Sequence, residues 1–216
     1  MIEIYVSDFA ELIAAIVGVL HWKKYRHEIW RNFTFFLVAI VICEAIGIYS
    51  IVRNYREFNS LFYHFVVLFE FSFYFWLFFK LQALWKQKKI ILFLFGLYFV
   101  SWIFELISLY TKDIRFYSDS YTFGNLLLLV CIISYFLRIL ATEQILGYKQ
   151  DMLFWVSLGL LIYFLGSFPF YGLHDLLWSK YTSIFLYYRR FVTFLDILMY
   201  AMFSIGFIWG KTSTKS

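Results

Sequence analysis

Seven runs of predominantly apolar residues, each about twenty long, take up nearly all of the sequence. A helix needs about 20 such residues to cross a hydrocarbon layer of about 30 Å. The runs therefore predict spans at roughly 4–22, 33–52, 59–82, 89–110, 121–141, 152–172 and 186–209. Between them lie short stretches rich in Lys, Arg, Asp, Glu, Asn and His. The expected fold is an all-α, polytopic membrane bundle of seven helices filling 1–210, with 211–216 as a short polar tail. Residues 1–20 do not read as a signal peptide, because Glu3, Asp8 and Glu11 stand where a basic and then apolar segment would be needed.

Composition agrees with a lipid environment. Charged residues are 15% of the chain and hydrophobic ones 63%, against about 25% and about 45–50% in an average soluble domain. The 29 Phe, 18 Tyr and 8 Trp suit helices whose rings anchor at the headgroups. The net charge of +5 does not indicate nucleic acid, because the basic residues fall mostly in the short connections. Cys43 and Cys131 lie inside apolar runs and read as small buried hydrophobes.

Lys and Arg also orient the bundle. Twelve fall on the side of the first and third connections and seven on the other, which predicts the N-terminus outside and the C-terminus in the cytoplasm. The expected location is the inner, cytoplasmic membrane of the cell. The densest basic segments, 23–31 (Lys23, Lys24, Arg26, Arg31) and 80–89 (Lys80, Lys86, Lys88, Lys89), would face anionic lipid or a signalling partner.

The chemically unusual feature is acid within the spans: Glu11, Glu44, Glu70, Glu105 and Asp196, one in each of five helices. An acid at mid-span opposes insertion by about 2.5–3.5 kcal/mol, so it normally faces the bundle interior or a wet cavity. A single such acid serves well as a protonated, interhelical hydrogen-bonding group; five of them exceed what structure alone calls for. Most fall in the outer half, as do His64 and Asn125, leaving an inner half of Leu, Ile, Phe and Val. The expectation is an acid-lined pocket open outward and closed inward. On the last span Arg189, Thr193, Asp196, Tyr200 and Ser204 form one polar stripe, in which Arg189, about two turns away, or a basic ligand would neutralise Asp196. Glu11, Ala14, Ala15 and Gly18 form a stripe that places the acid on a helix-contact face. The sequence GSFP at 166–169 predicts a kink or an end of the sixth helix near its outer end.

No GxGxxG, P-loop, HExxH, CxxC or GxSxG motif occurs, and no catalytic residue or cofactor is indicated. His64 and Glu70 stand about 120° apart on one helix, so no metal site is expected from them. The runs LFEFSFYF at 68–75, FWVSLGLLIYFLGSFPF at 154–170 and DILMYAMFSIGF at 196–207 resemble small, uncharacterised seven-span membrane proteins of Bacteroidota type. That resemblance implies the seven-span fold and no particular activity.

The functional expectation is a sensor- or receptor-like subunit. It would bind a cation, a proton or a small polar or basic molecule through Glu11, Glu44, His64, Glu70, Glu105, Asn125, Arg189, Asp196 and Tyr200. Signalling would pass to a separate partner, or through a homo-oligomer. A transporter or channel for a small solute, proton or cation is the alternative. An intramembrane lipid-modifying enzyme and an oligomeric membrane-perturbing effector stand behind it.

Overall fold

A computed structural model of the chain describes residues 2–25, 29–81, 85–111, 119–141 and 149–211. Its helices are α1 (Ile2–Leu20), α2 (Ile29–Val52), α3 (Arg56–Leu81), α4 (Trp85–Thr111), α5 (Asp119–Leu140), α6 (Met152–Gly172), α7 (His174–Lys180) and α8 (Thr182–Trp209). No strand occurs among the described residues. A helix satisfies its own backbone hydrogen bonds, which a lipid environment demands of every spanning segment. Among the described residues six helices, α2 to α6 and α8, are long and apolar enough to cross a membrane, as in a multi-pass membrane protein. The nineteen residues of α1 include Glu3, Asp8 and Glu11, which dilute its apolar character.

Consecutive long helices pack side by side, and α8 packs on both α6 and α1. The seven long helices thus close into a ring, with α3 also touching α5 across it. The α6–α8 and α1–α8 seams are the most extensive, and glycines let the helices approach there. A Cβ at Gly159 would stand 3.0 Å from the Met199 carbonyl oxygen, and one at Gly18 would stand 3.0 Å from the Phe207 ring.

One difference from the expected spans stands out. The stretch from His174 onward, read as a polar connection, contains α7, which packs against α8. His174 and Trp178 place their rings 5.3 Å and 5.1 Å from Phe185, edge to face, so this short helix covers the start of α8. Pro169 lies inside α6, which ends at Gly172, within a turn as expected of a residue lacking an N–H. At this weakened turn Tyr188 of α8 donates its hydroxyl to the Gly166 carbonyl at 3.0 Å.

The connection from α2 to α3 is defined by its cap. Asn54 has φ 61°, Tyr55 N–H donates to Ser50 O at 2.9 Å, and Asn54 N–H donates to Ile51 O at 3.0 Å. These are the paired bonds of a Schellman ending, with Asn in the left-handed position usually taken by Gly. On the opposite end of the bundle, the basic first connection closes the ring. The Tyr25 hydroxyl donates to Gly210 O at 2.7 Å, and the Lys24 ammonium donates to Phe207 O at 3.1 Å and Ile208 O at 3.0 Å. A cation on the last carbonyls of α8 complements the negative end of its dipole. Partial burial there holds the Lys24 ammonium below its ordinary pKa. These two side chains, expected on headgroups, are thus turned to the C-terminus of α8; Arg26, His27 and Glu28 lie outside the described residues. Asp151 caps α6 by accepting from Leu153 N–H at 2.9 Å and also accepts the Tyr135 hydroxyl at 2.8 Å, joining α5 to α6 at the same end.

Two substitutions test these closures by unfolding in detergent. Asn54→Val forces a β-branched residue into the left-handed region and is expected to cost about 1–2 kcal/mol. Tyr25→Phe leaves the buried Gly210 carbonyl without its donor and is expected to cost about 1–3 kcal/mol.

Candidate functional site

The heptad-like spacing of small and polar residues on α1 places Glu11 as anticipated. Glu11, Ala14, Ala15 and Gly18 are all buried on one face, and Glu11 is 5% exposed. On that face its carboxylate feels the charges of Glu44 of α2, Glu70 of α3 and Asp196 of α8, and it meets the Tyr200 hydroxyl. Glu70 is itself within reach of Glu44 and Asp196. Four of the five singled-out acids therefore converge from four different helices.

A further carboxylate joins them. Asp8 lies one turn before Glu11 on α1, and its charge reaches both Glu44 and Asp196. The i, i+3 spacing of Asp8 and Glu11 is the sequence signal that carries it, because it puts both on one face of α1. The charges acting on Asp196 are thus those of Glu44 and Asp8. Arg189 lies two turns nearer the start of α8, where its carbonyl accepts the Thr193 hydroxyl at 3.1 Å.

Tyrosines surround the carboxylates. Tyr63 donates to Glu44 at 2.7 Å, and Tyr74 lies within reach of Glu70, Asp196 and Glu11. On the far wall Tyr121 of α5 and Tyr163 of α6 join hydroxyls at 3.2 Å, and Tyr163 meets Tyr171 at 3.4 Å. The charges of Glu70 and Asp196 reach Tyr121 and Tyr171. Glu70, Tyr121, Tyr163, Tyr171 and Asp196 are half-buried although helices enclose them. Sequence reasoning named only Tyr200 among these tyrosines, because by composition the others look like headgroup anchors.

Beneath the acids the interior is aromatic and closed. Phe36 of α2 stacks on Phe73 of α3 at 4.1 Å, and Phe33 meets Phe203 and Phe207 of α8 at 5.2 Å and 5.8 Å. Phe33, Phe203, Phe207, Leu77 and Phe78 are all 0% exposed. This end of the interior, toward the connection from α1 to α2, is apolar and built of rings more than of aliphatic side chains.

The remaining candidates are placed elsewhere. Glu105 of α4 accepts the Ser120 N–H at 3.1 Å and so caps α5, where a carboxylate meets the positive end of the helix dipole. His64 stacks on Trp102 of α4 at 4.8 Å with the planes 15° apart, and the Trp102 indole donates to the His64 carbonyl at 3.1 Å. Asn125 of α5 is fully buried on the same helix face as Tyr121. Among the described residues no three His, Cys, Asp or Glu side chains converge closely enough to hold a metal ion.

The Tyr63 bond depends on the absence of a side chain at Gly47. A Cβ there would overlap the Tyr63 phenol. Gly47→Val is expected to displace Tyr63 from Glu44 and to lower stability by about 1–3 kcal/mol, whereas Tyr63→Phe loses the bond without the overlap. Thermal unfolding of the two variants separates these effects: Gly47→Val should be the less stable.

No protein-family model, no curated protein and no solved structure matches this chain, so the site stands on its own chemistry.

Proposed function

We propose that the chain is a receptor- or sensor-like membrane subunit that binds a small organic cation inside its helical ring. The observation that carries this reading is the convergence of Asp8, Glu11, Glu44, Glu70 and Asp196 from four helices. Like charges held this close repel unless protons or a cation intervene. An ammonium group meets that need with charge, and the tyrosine rings add cation–π attraction. The separation of the acids favours an organic cation over a bare metal ion, which needs several donors at one point. The aromatic floor of Phe33, Phe36, Phe73 and Phe203 favours binding over conduction, because a through-path needs polar groups in the inner half.

In this reading α1 is a seventh span, the N-terminus and α7 are outside, and the C-terminus is cytoplasmic in the inner membrane of the cell. Ligand enters from the outer side, past Tyr171 and Asp8. The signal leaves through the inner connections, to a partner at the basic segments around Lys23 and Lys80–Lys89 or to a second copy of the chain. Kinship with the small seven-span proteins of Bacteroidota type is part of the same proposal.

Two measurements test it. Primary and quaternary ammonium compounds should raise the thermal stability of the purified protein, and Glu70→Gln combined with Asp196→Asn should weaken their binding at least about tenfold while the protein stays folded. Equal binding in the double variant overturns the assignment. For orientation, a single cysteine at Arg53, with Cys43 and Cys131 replaced by Ala, should react with an impermeant maleimide added outside intact cells, and one at Lys211 should not.

A further inference from the structure

Between α5 and α6 the ring holds polar groups that the carboxylates do not explain. Tyr121 lies against Tyr171, ring centroids 4.5 Å apart, and Phe136 lies against Phe154 at 5.8 Å. These two pairs define the antiparallel register of the helices, and in it Asn125 stands level with Ser167. Both face the seam. Asn125 is one turn from Tyr121 on α5, and Ser167 is one turn from both Tyr163 and Tyr171 on α6. Each is 0% exposed. Neither the Asn125 amide oxygen, nor its nitrogen, nor the Ser167 hydroxyl has a hydrogen-bond partner among the described residues.

A buried amide left without partners is costly, and native structures rarely tolerate it without a reason. Here three unsatisfied atoms occur one turn from a tyrosine hydroxyl chain, on the wall facing Glu70 and Asp196. Sequence reading singled out Asn125 by depth alone; the pairing with Ser167 comes from the register.

We infer that Asn125 and Ser167, with Tyr121 and Tyr163 beside them, form a neutral hydrogen-bonding subsite for the second polar group of the ligand. This inference rests on the cation-binding reading and narrows its ligand to an amine that also carries a hydroxyl or carbonyl. The ammonium lies against the carboxylates of α1, α2, α3 and α8, and the neutral group lies between α5 and α6. An amide offers both a donor and an acceptor, so it serves a hydroxyl in either direction and a carbonyl through its N–H. A subsite of this kind discriminates strongly, because a ligand lacking the group leaves the amide unpaired.

The test uses purified full-length protein and matched amines: phenethylamine with tyramine, and n-butylamine with 4-aminobutan-1-ol. Binding is measured by calorimetry or thermal shift. The hydroxylated member of at least one pair should bind about tenfold more tightly to the wild type. Asn125→Leu, which keeps a similar shape, and Ser167→Ala should each reduce that preference toward unity while leaving the affinity of the plain amine unchanged. If Asn125→Leu does not fold, Ser167→Ala alone decides. Amines that bind with no hydroxyl preference, or a preference that survives both variants, overturn the subsite and leave the cation reading intact; Asn125 and Ser167 then hold a bridging water only. Failure of every amine to bind overturns both.

Discussion

A carboxylate in a hydrocarbon layer has to be enclosed by protein, and several carboxylates from different helices have to be enclosed together. That constraint organises this molecule. Each of α1, α2, α3 and α8 turns its acid-bearing face inward, and the faces left for lipid are Leu, Ile, Val and Phe, such as Ile13, Phe35, Phe69 and Phe194. A ring is the arrangement in which all four helices offer a face to one interior. Closure of α8 on α1 is therefore a requirement of where the charges lie.

The ring sorts its interior by depth. Tyr121 and Tyr171 stand toward the end bearing α7, Tyr163 and the acids lie deeper, and the phenylalanines of α2, α3 and α8 fill the remainder. Small residues allow this sorting, since Gly18, Gly159 and Gly124 sit where neighbouring rings or backbone come within contact distance. Gly124 in particular lies under Phe71 and Tyr98, so α3, α4 and α5 meet at one point on the wall facing the acids.

The fold was largely legible because spanning length and apolar content are local properties of the chain. Helix limits differ from the expected ones by a few residues, as at α2, which starts at Ile29 where 33 was expected. The helix α7 escaped notice because His174, Asp175, Ser179 and Lys180 make its seven residues look like a connection, while Leu176, Leu177 and Trp178 were too few to form a periodic pattern. The site was legible in depth, and in direction on α1, where the stripe of Glu11, Ala14, Ala15 and Gly18 is buried as expected. Depth ranked Glu105 with the other acids, yet it caps α5, and depth gave no way to separate that use from a cavity. Asp8 was passed over because it stands near the chain start, although its spacing from Glu11 held the information. The tyrosine partners depend on contacts between distant helices, which no window of sequence contains.

The latch of Lys24 and Tyr25 on the end of α8 bears on how the protein is made. The groups it joins are separated by more than 180 positions in the chain, so they meet only after every intervening helix has been synthesised. Until then α1 carries Asp8 and Glu11 with neither Asp196 nor Tyr200 beside them. Docking of α1 on α8 therefore requires both helices to be present, and the latch ties the first connection of the bundle to the end of its last described helix.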